Sequence, residues 1–283
     1  MKRGLWFLLG LLAGLPLRGA APVLAASLAG RFEVASMDAA VAHRVAAAAE
    51  EGWRVLATPL GLPPAFPSPV FVRIVPSGTP GTPRTHEVAV EPGGLVTLWL
   101  GPRAQEGRNL RVALTDALLH RLAVTLHGAT VPPVVAPWLV LGAAGWWETR
   151  VDGARLDALR EASRRTAPPE LVGLLDGPRG SSGPEGDAAG ATWLFTFLLS
   201  ESSRGGEWWR LLARLLAGGD PQAMLAQAYV GRFGGPEDRE LWWQTGWYHH
   251  LRQRVLPGLE AEEARGLLAA WVRFVFADEG GVD

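Results

Sequence analysis

The side chains of this sequence that could do chemistry are few, and most of them lack a partner at a useful spacing. Six histidines are present and cysteine is absent, so neither a thiolate nucleophile nor a cysteine metal site can form. His120 and His127 are seven residues apart, which puts them on one helix face but roughly 10 Å apart along the axis, too far to share an ion. His249 and His250 diverge by about 100° on a helix and have neither histidine nor carboxylate at i+4. His43 is followed by Ala46 and Ala47 at i+3 and i+4, and His86 opens a strand with no evident ligand beside it. A serine hydrolase needs its nucleophile on a tight glycine-flanked turn. Ser181-Ser182-Gly183 falls in a loop, and no G-x-S-x-G occurs. The carboxylate pairs Glu50-Glu51, Glu237-Asp238 and Glu262-Glu263 read as helix-end or solvated residues rather than a glycosidase acid and base. What remains is the stretch Ala113 to Arg150, where His120 on one helix is followed by a tryptophan-rich second helix.

The elements around that stretch follow from periodicity and punctuation. Arg31 to Val34 reads as a short strand. Asp38 caps a helix to about Thr58, ended by Pro59, Gly61, Pro63 and Pro64. VFVRIV, Val70 to Val75, is β-branched and bounded by prolines, hence a buried strand. His86–Glu91 and Leu95–Leu100 flank Pro92-Gly93-Gly94 as a hairpin. Asn109 is expected to cap the helix carrying His120, whose leucines recur at helical spacing until Gly128. A further helix runs from about Ala136 to Arg150. Beyond it, helices are expected at 153–165, 188–200, 207–217, 221–229, 236–255 and 260–276, with a short turn near 170–175. Asp220 followed by Pro221 marks one N-terminus. Pro178 to Asp187, PRGSSGPEGD, reads as a mobile loop and the seam between an α+β region (26–177) and a helical C-terminal region (188–283).

This order of elements resembles the peptidase MA-like gluzincin family, zinc metallopeptidases with a thermolysin-like core. That family carries HExxH on one helix and a motif close to P-x-W-L-x-E-G on the next. Two histidines at i and i+4 and the later glutamate hold Zn²⁺, and the glutamate inside the motif is the general base. His120-Arg121-Leu122-Ala123-Val124 stands where HExxH would be, and Pro137-Trp138-Leu139-Val140-Leu141-Gly142 where the second motif would be. His120 matches the first ligand. Arg121 replaces the base, Val124 the second histidine and Leu141 the third ligand. The resemblance therefore implies a zincin-like α+β fold, a degenerate member with no metal, no cofactor and no catalytic residue. It also implies a retained cleft lined by Val96, Leu98, Trp138, Trp146, Trp147 and Glu148, with the strand Leu95–Leu100 as an open edge that could hold an extended peptide.

Composition sets the remaining expectations. Hydrophobic residues make up 48% and charged residues 19% of 283, so the chain is globular. A net charge of -1 without a basic block gives no reason to expect nucleic acid as a partner. Lys2 and Arg3 followed by the apolar run Leu5–Leu17 read as a secretory signal, with cleavage after Ala25 and no membrane span after cleavage; an uncleaved anchor is the alternative. The address this implies is the bacterial periplasm or the exterior, and the partner a peptide or another envelope protein. Three tryptophan doublets, 146–147, 208–209 and 242–243, should each send one ring to the core and leave the other near the surface. The rival to a noncatalytic role is a metal-independent hydrolase pairing His120 with a carboxylate such as Glu148.

Overall fold

The computed structural model describes residues 22–129, 133–176, 183–201, 206–230, 232–252 and 265. The apolar run Leu5–Leu17 and the helix expected at 260–276 lie outside them, apart from Arg265. The fold is α+β. A five-stranded mixed sheet and its helices occupy the first half, and helices fill the second.

The strands are β1 (Val23–Ala26), β2 (Phe32–Ser36), β3 (Val70–Ile74), β4 (His86–Val90) and β5 (Val96–Leu100), in the order β1-β2-β3-β5-β4. β2, β3 and β5 run parallel to one another, and β1 and β4 close the two sides antiparallel. β5 is thus inserted between β3 and β4, paired on both sides. This corrects the expectation of an open edge at Leu95–Leu100: β5 has no free hydrogen-bonding side, and the edge strand beyond it is β4. The Ala25–Ala26 bond, where signal cleavage is expected, lies inside β1, whose Ala25 pairs with Val34.

Strand alternation puts Phe32, Val70 and Val96 in one row and Val34, Val72 and Leu98 in the next, all fully buried. His86, Val88 and Val90 continue the same face on β4 through their partners Leu100, Leu98 and Val96. Two helices cover the sheet, α1 (Ala39–Leu60) on β1 and β2 and α2 (Gly107–His127) on β3, β4 and β5. The Asp38 carboxylate caps α1 by accepting from the backbone of Ala40 and Val41. The helix passes through Pro59 to Leu60 before Gly61 ends it at φ 57°, because a proline in the last turn leaves only one carbonyl without its helical donor. α2 begins at Gly107 with Glu106 at the N-cap; Asn109, expected there, sits in the first turn and donates to the Arg103 carbonyl at 2.9 Å.

The helical remainder comprises α3 (Pro137–Val151), α4 (Gly153–Arg164), α5 (Leu171–Asp176), α6 (Gly183–Glu201), α7 (Glu207–Leu216), α8 (Pro221–Ala228) and α9 (Pro236–Arg252). α6 starts five residues inside the segment expected as a loop, with Pro184 in its first turn where a missing N–H costs nothing; residues 178–182 lie outside the described ones. α3 and α6 form the closest helix pair. A Cβ on Gly142 would come within 2.5 Å of the Ala191 carbonyl oxygen, and one on Gly145 would overlap Thr192 Oγ1, so only glycine permits this approach. Among the described residues no helix is long and apolar enough to cross a membrane.

Candidate functional site

α2 runs along the β4–β5 hairpin, from its open end near His86 and Leu100 to the turn at Gly94, and it carries the four positions of interest in two groups. The first group faces the turn. Arg121 is 3% exposed, and its Nη1 donates to the Gly94 carbonyl at 2.7 Å and to Ser68 Oγ at 2.9 Å. Its Nε is enclosed without a partner, and its Cζ lies 5.9 Å from the Phe66 ring. Burial holds the guanidinium pKa below its ordinary value. One turn on, Val124 packs so closely on the hairpin that a Cβ on Gly94 would lie 2.9 Å from its Cγ1. At Arg121 and Val124, the positions that the sequence resemblance assigns to a general base and a second ligand, this chain has a guanidinium fastened to backbone and a valine pressed on a turn.

The second group faces the open end. His120 Nδ1 lies 2.9 Å from the Asp116 carbonyl oxygen and 3.0 Å from Asp116 Oδ1, while His86 Nε2 lies 3.1 Å from Oδ2 of the same carboxylate. One aspartate thus stands between two imidazoles, each side chain retaining between 14% and 19% exposure. Burial alone would raise the Asp116 pKa, but hydrogen bonds and charge from His120 and His86 outweigh it and leave it below the usual carboxylate value. For His120, burial disfavours the cation, and the Asp116 carboxylate more than offsets this, so its pKa is raised.

Sequence reasoning missed Asp116 and set His86 aside. The signal for Asp116 was present, since it precedes His120 by four residues on one helix face. His86 joins them only because β4 turns its first side chain toward α2, which depends on the sheet order.

The second helix contributes packing. Leu141 is half-buried against the core, Trp138 is 2% exposed and Trp147 is fully buried, its ring seated where a Cβ on Gly52 of α1 would fall at 2.6 Å. Trp146 keeps partial exposure, edge-on to Phe195 and with the Arg150 guanidinium 4.8 Å from its ring. Glu148 lies 3.5 Å from Arg111 and 3.3 Å from Arg155. The expected cleft lining is corrected accordingly: Val96, Leu98, Trp138 and Trp147 are core residues. The carboxylate at His120 is Asp116, not Glu148.

All three tryptophan doublets follow the expected division, with Trp147, Trp208 and Trp243 buried and Trp146, Trp209 and Trp242 more exposed. Buried indoles also tie helices together: Trp208 Nε1 donates to the Pro59 carbonyl at 2.7 Å, and Trp193 Nε1 to Ser163 Oγ at 2.9 Å. His250 is buried in this half, stacked on Trp193 and hydrogen-bonded with Ser200 Oγ, and His127 Nε2 lies 2.8 Å from the Ala213 carbonyl oxygen.

Chemically, His120 oriented through Nδ1 by a carboxylate would present Nε2 as a base or ligand. Among the described residues no three histidine, aspartate or glutamate side chains are arranged to hold a metal ion. No protein-family model, no curated protein and no solved structure matches this chain.

Proposed function

We propose that this protein is a noncatalytic pseudopeptidase of the bacterial envelope, a binding or scaffold protein for a peptide or protein partner. The observation that carries the reading is the state of Arg121. At the position where the family it resembles holds its catalytic glutamate, this chain has a buried cation bonded to Gly94 and Ser68. A guanidinium repels a metal dication and cannot take a proton from water. Leu141 and Val124 replace the other polar groups by packing, which removes buried groups that would otherwise need partners. On the side of the site, the sheet edge open to an extended partner is β4, whose outer side pairs with no strand among the described residues.

Elemental analysis and a peptide-cleavage assay on purified protein test this reading: neither stoichiometric zinc nor cleavage is expected, and about one tightly held zinc per chain overturns it. The resemblance itself is tested by combining Arg121→Glu, Val124→His and Leu141→Glu. A folded triple variant should take up zinc, and failure to do so removes the alignment.

A second reading is favoured by the contact between His120 and Asp116, a carboxylate-oriented imidazole of the kind used as a general base. It would make the protein a metal-independent hydrolase. Ester or amide turnover that disappears in His120→Gln would establish it in place of the noncatalytic reading.

A further inference from the structure

Two arginines among the described residues are buried. Arg160 has the Asp157 carboxylate at 3.9 Å. Arg121, more deeply buried, has no carboxylate within ion-pair distance among the described residues, and its pKa is lowered by burial with no acid acting against it. An uncompensated buried cation is expensive to keep. The fold's own demand at this place is modest, because a donor for the Gly94 carbonyl and the Ser68 hydroxyl is all that the hairpin turn uses, and Nη1 supplies both. What is left over is the opposite side of the guanidinium. Nε is enclosed and unbonded, and Nη2, which is not enclosed in the same way, makes no hydrogen bond to any described residue. Nε–H and Nη2–H together form the edge of arginine that takes two oxygens of one anion side by side.

We infer that this edge of Arg121 is a binding site for a carboxylate on a peptide partner, held at the hairpin turn between β4 and β5. The proposal rests on the noncatalytic reading and names the chemistry of its ligand. A monoanion fits better than a phosphate, since one buried positive charge is neutralised by a carboxylate, whereas a phosphate dianion would leave a net negative charge beside Phe66, Val124 and the turn backbone.

Entry is governed by the segment joining α1 to β3, residues 61–69, which carries Phe66 and Ser68. Apart from Gly61 and Leu62 bonding back to Thr58 and Ala57 in the α1 cap, its described backbone hydrogen bonds reduce to the Pro64 carbonyl accepting from Arg31 Nε, so Phe66 can turn aside without breaking a ladder. Phe66 is only partly buried, consistent with a movable cover.

The experiment titrates full-length protein with three probes: N-acetyl-Ala-Ala-Ala with a free carboxylate, the same peptide as its amide, and N-acetyl-Ala-Asp-Ala-amide. Calorimetry reads affinity, and the ¹⁵N-edited Arg Nε–H resonance reads the contact directly. The free acid should bind at least tenfold tighter than the amide and shift the Arg121 resonance. The Asp peptide distinguishes a side-chain carboxylate from a chain terminus: binding by it alone assigns the site to an internal acidic residue, and binding by the free acid alone assigns it to a C-terminus. Arg121→Lys, which can still donate to Gly94 but lacks the two-donor edge, should abolish the preference. Equal binding of acid and amide, a preference that survives in the lysine variant, or no binding of either acid overturns the proposal; the resonance titration on unaltered protein decides the matter if the variant does not fold. These outcomes are separate from the zinc and cleavage assays, so a metal-free, inactive protein without acid preference defeats this inference alone.

Discussion

His120 and Arg121 are neighbours in the chain, yet the two faces of α2 they occupy are built on opposite principles. His120 sits at the open end of the hairpin, partly exposed, with a carboxylate at 3.0 Å shared with a second imidazole. Arg121 sits under the turn, 3% exposed, with a carbonyl and a hydroxyl but no counter-charge among the described residues. Consecutive helical residues diverge by about 100°, so one step along the chain carries a side chain from a solvated, charge-balanced patch into the core. On the first face the charge is satisfied and can titrate; on the second it is structural and, unless a ligand supplies the missing anion, uncompensated. The difference also separates the two functional readings, since proton transfer could arise only on the first face and carboxylate capture only on the second.

The comparison can be broken most forcefully at Arg121. Arg121→Ala removes two donors and leaves a cavity under the hairpin, and should cost about 3 kcal/mol in urea unfolding. Arg121→Met fills the same space and discards the unbalanced charge, so its cost should be only about 1 kcal/mol. Equal losses for the two would mean that the lost donors matter more than the space left unfilled. Next in size is Gly94→Ala, which places a side chain at φ 83° against Val124 Cγ1 and should cost roughly 2 kcal/mol, with the turn rather than the helix loosening first by hydrogen exchange.

On the other face, Asp116→Asn keeps the shape but can accept from only one of the two imidazoles. A loss of about 1 kcal/mol is expected, smaller than at Arg121→Ala because these groups keep some water.

The pH dependence is the finest distinction. The raised pKa of His120 contributes stability that is complete below its ordinary value near 6.5 and lost as pH rises through the folded value. The lowered pKa of Asp116 contributes stability present above about pH 4 and lost as pH falls through its folded value. The window in which both contribute therefore lies between the ordinary carboxylate value and the raised value of His120. Wild-type stability should decline above that window by less than about 1 kcal/mol, whereas Asp116→Asn should lack that decline. A slope that survives in the variant would place the titrating group elsewhere.

Local features of this fold are readable in the sequence because they are decided by neighbours. The Asp38 cap, the Gly93-Gly94 turn, the leucine spacing of α2 and the division of each tryptophan doublet all depend on residues within a turn or two. β1 has no such signature, since its four residues gain their character from pairing with β2. The edge was misplaced because strand order is not chain order: β5 follows β4 but lies inside it, and nothing in Val96–Leu100 states which side is free. At the site, Asp116 was legible from its spacing to His120, His86 was not, and the burial of Arg121 could not be read from a charged residue type that is normally exposed.

A last consequence follows from the aromatic rings that rest on glycines. Trp147 lies on Gly52, Trp209 on Gly61 and Phe197 on Gly246, each so close that a single added carbon would fall within 2.6 Å of the ring. In each case an aromatic ring and a glycine form one fitted unit across two helices or a helix end. Neither member can drift alone: enlarging the glycine evicts the ring, and shrinking the ring opens a void that a new side chain opposite could refill. Divergent copies of this chain should therefore change these positions in pairs, and three such couplings would identify kinship without any catalytic motif to compare.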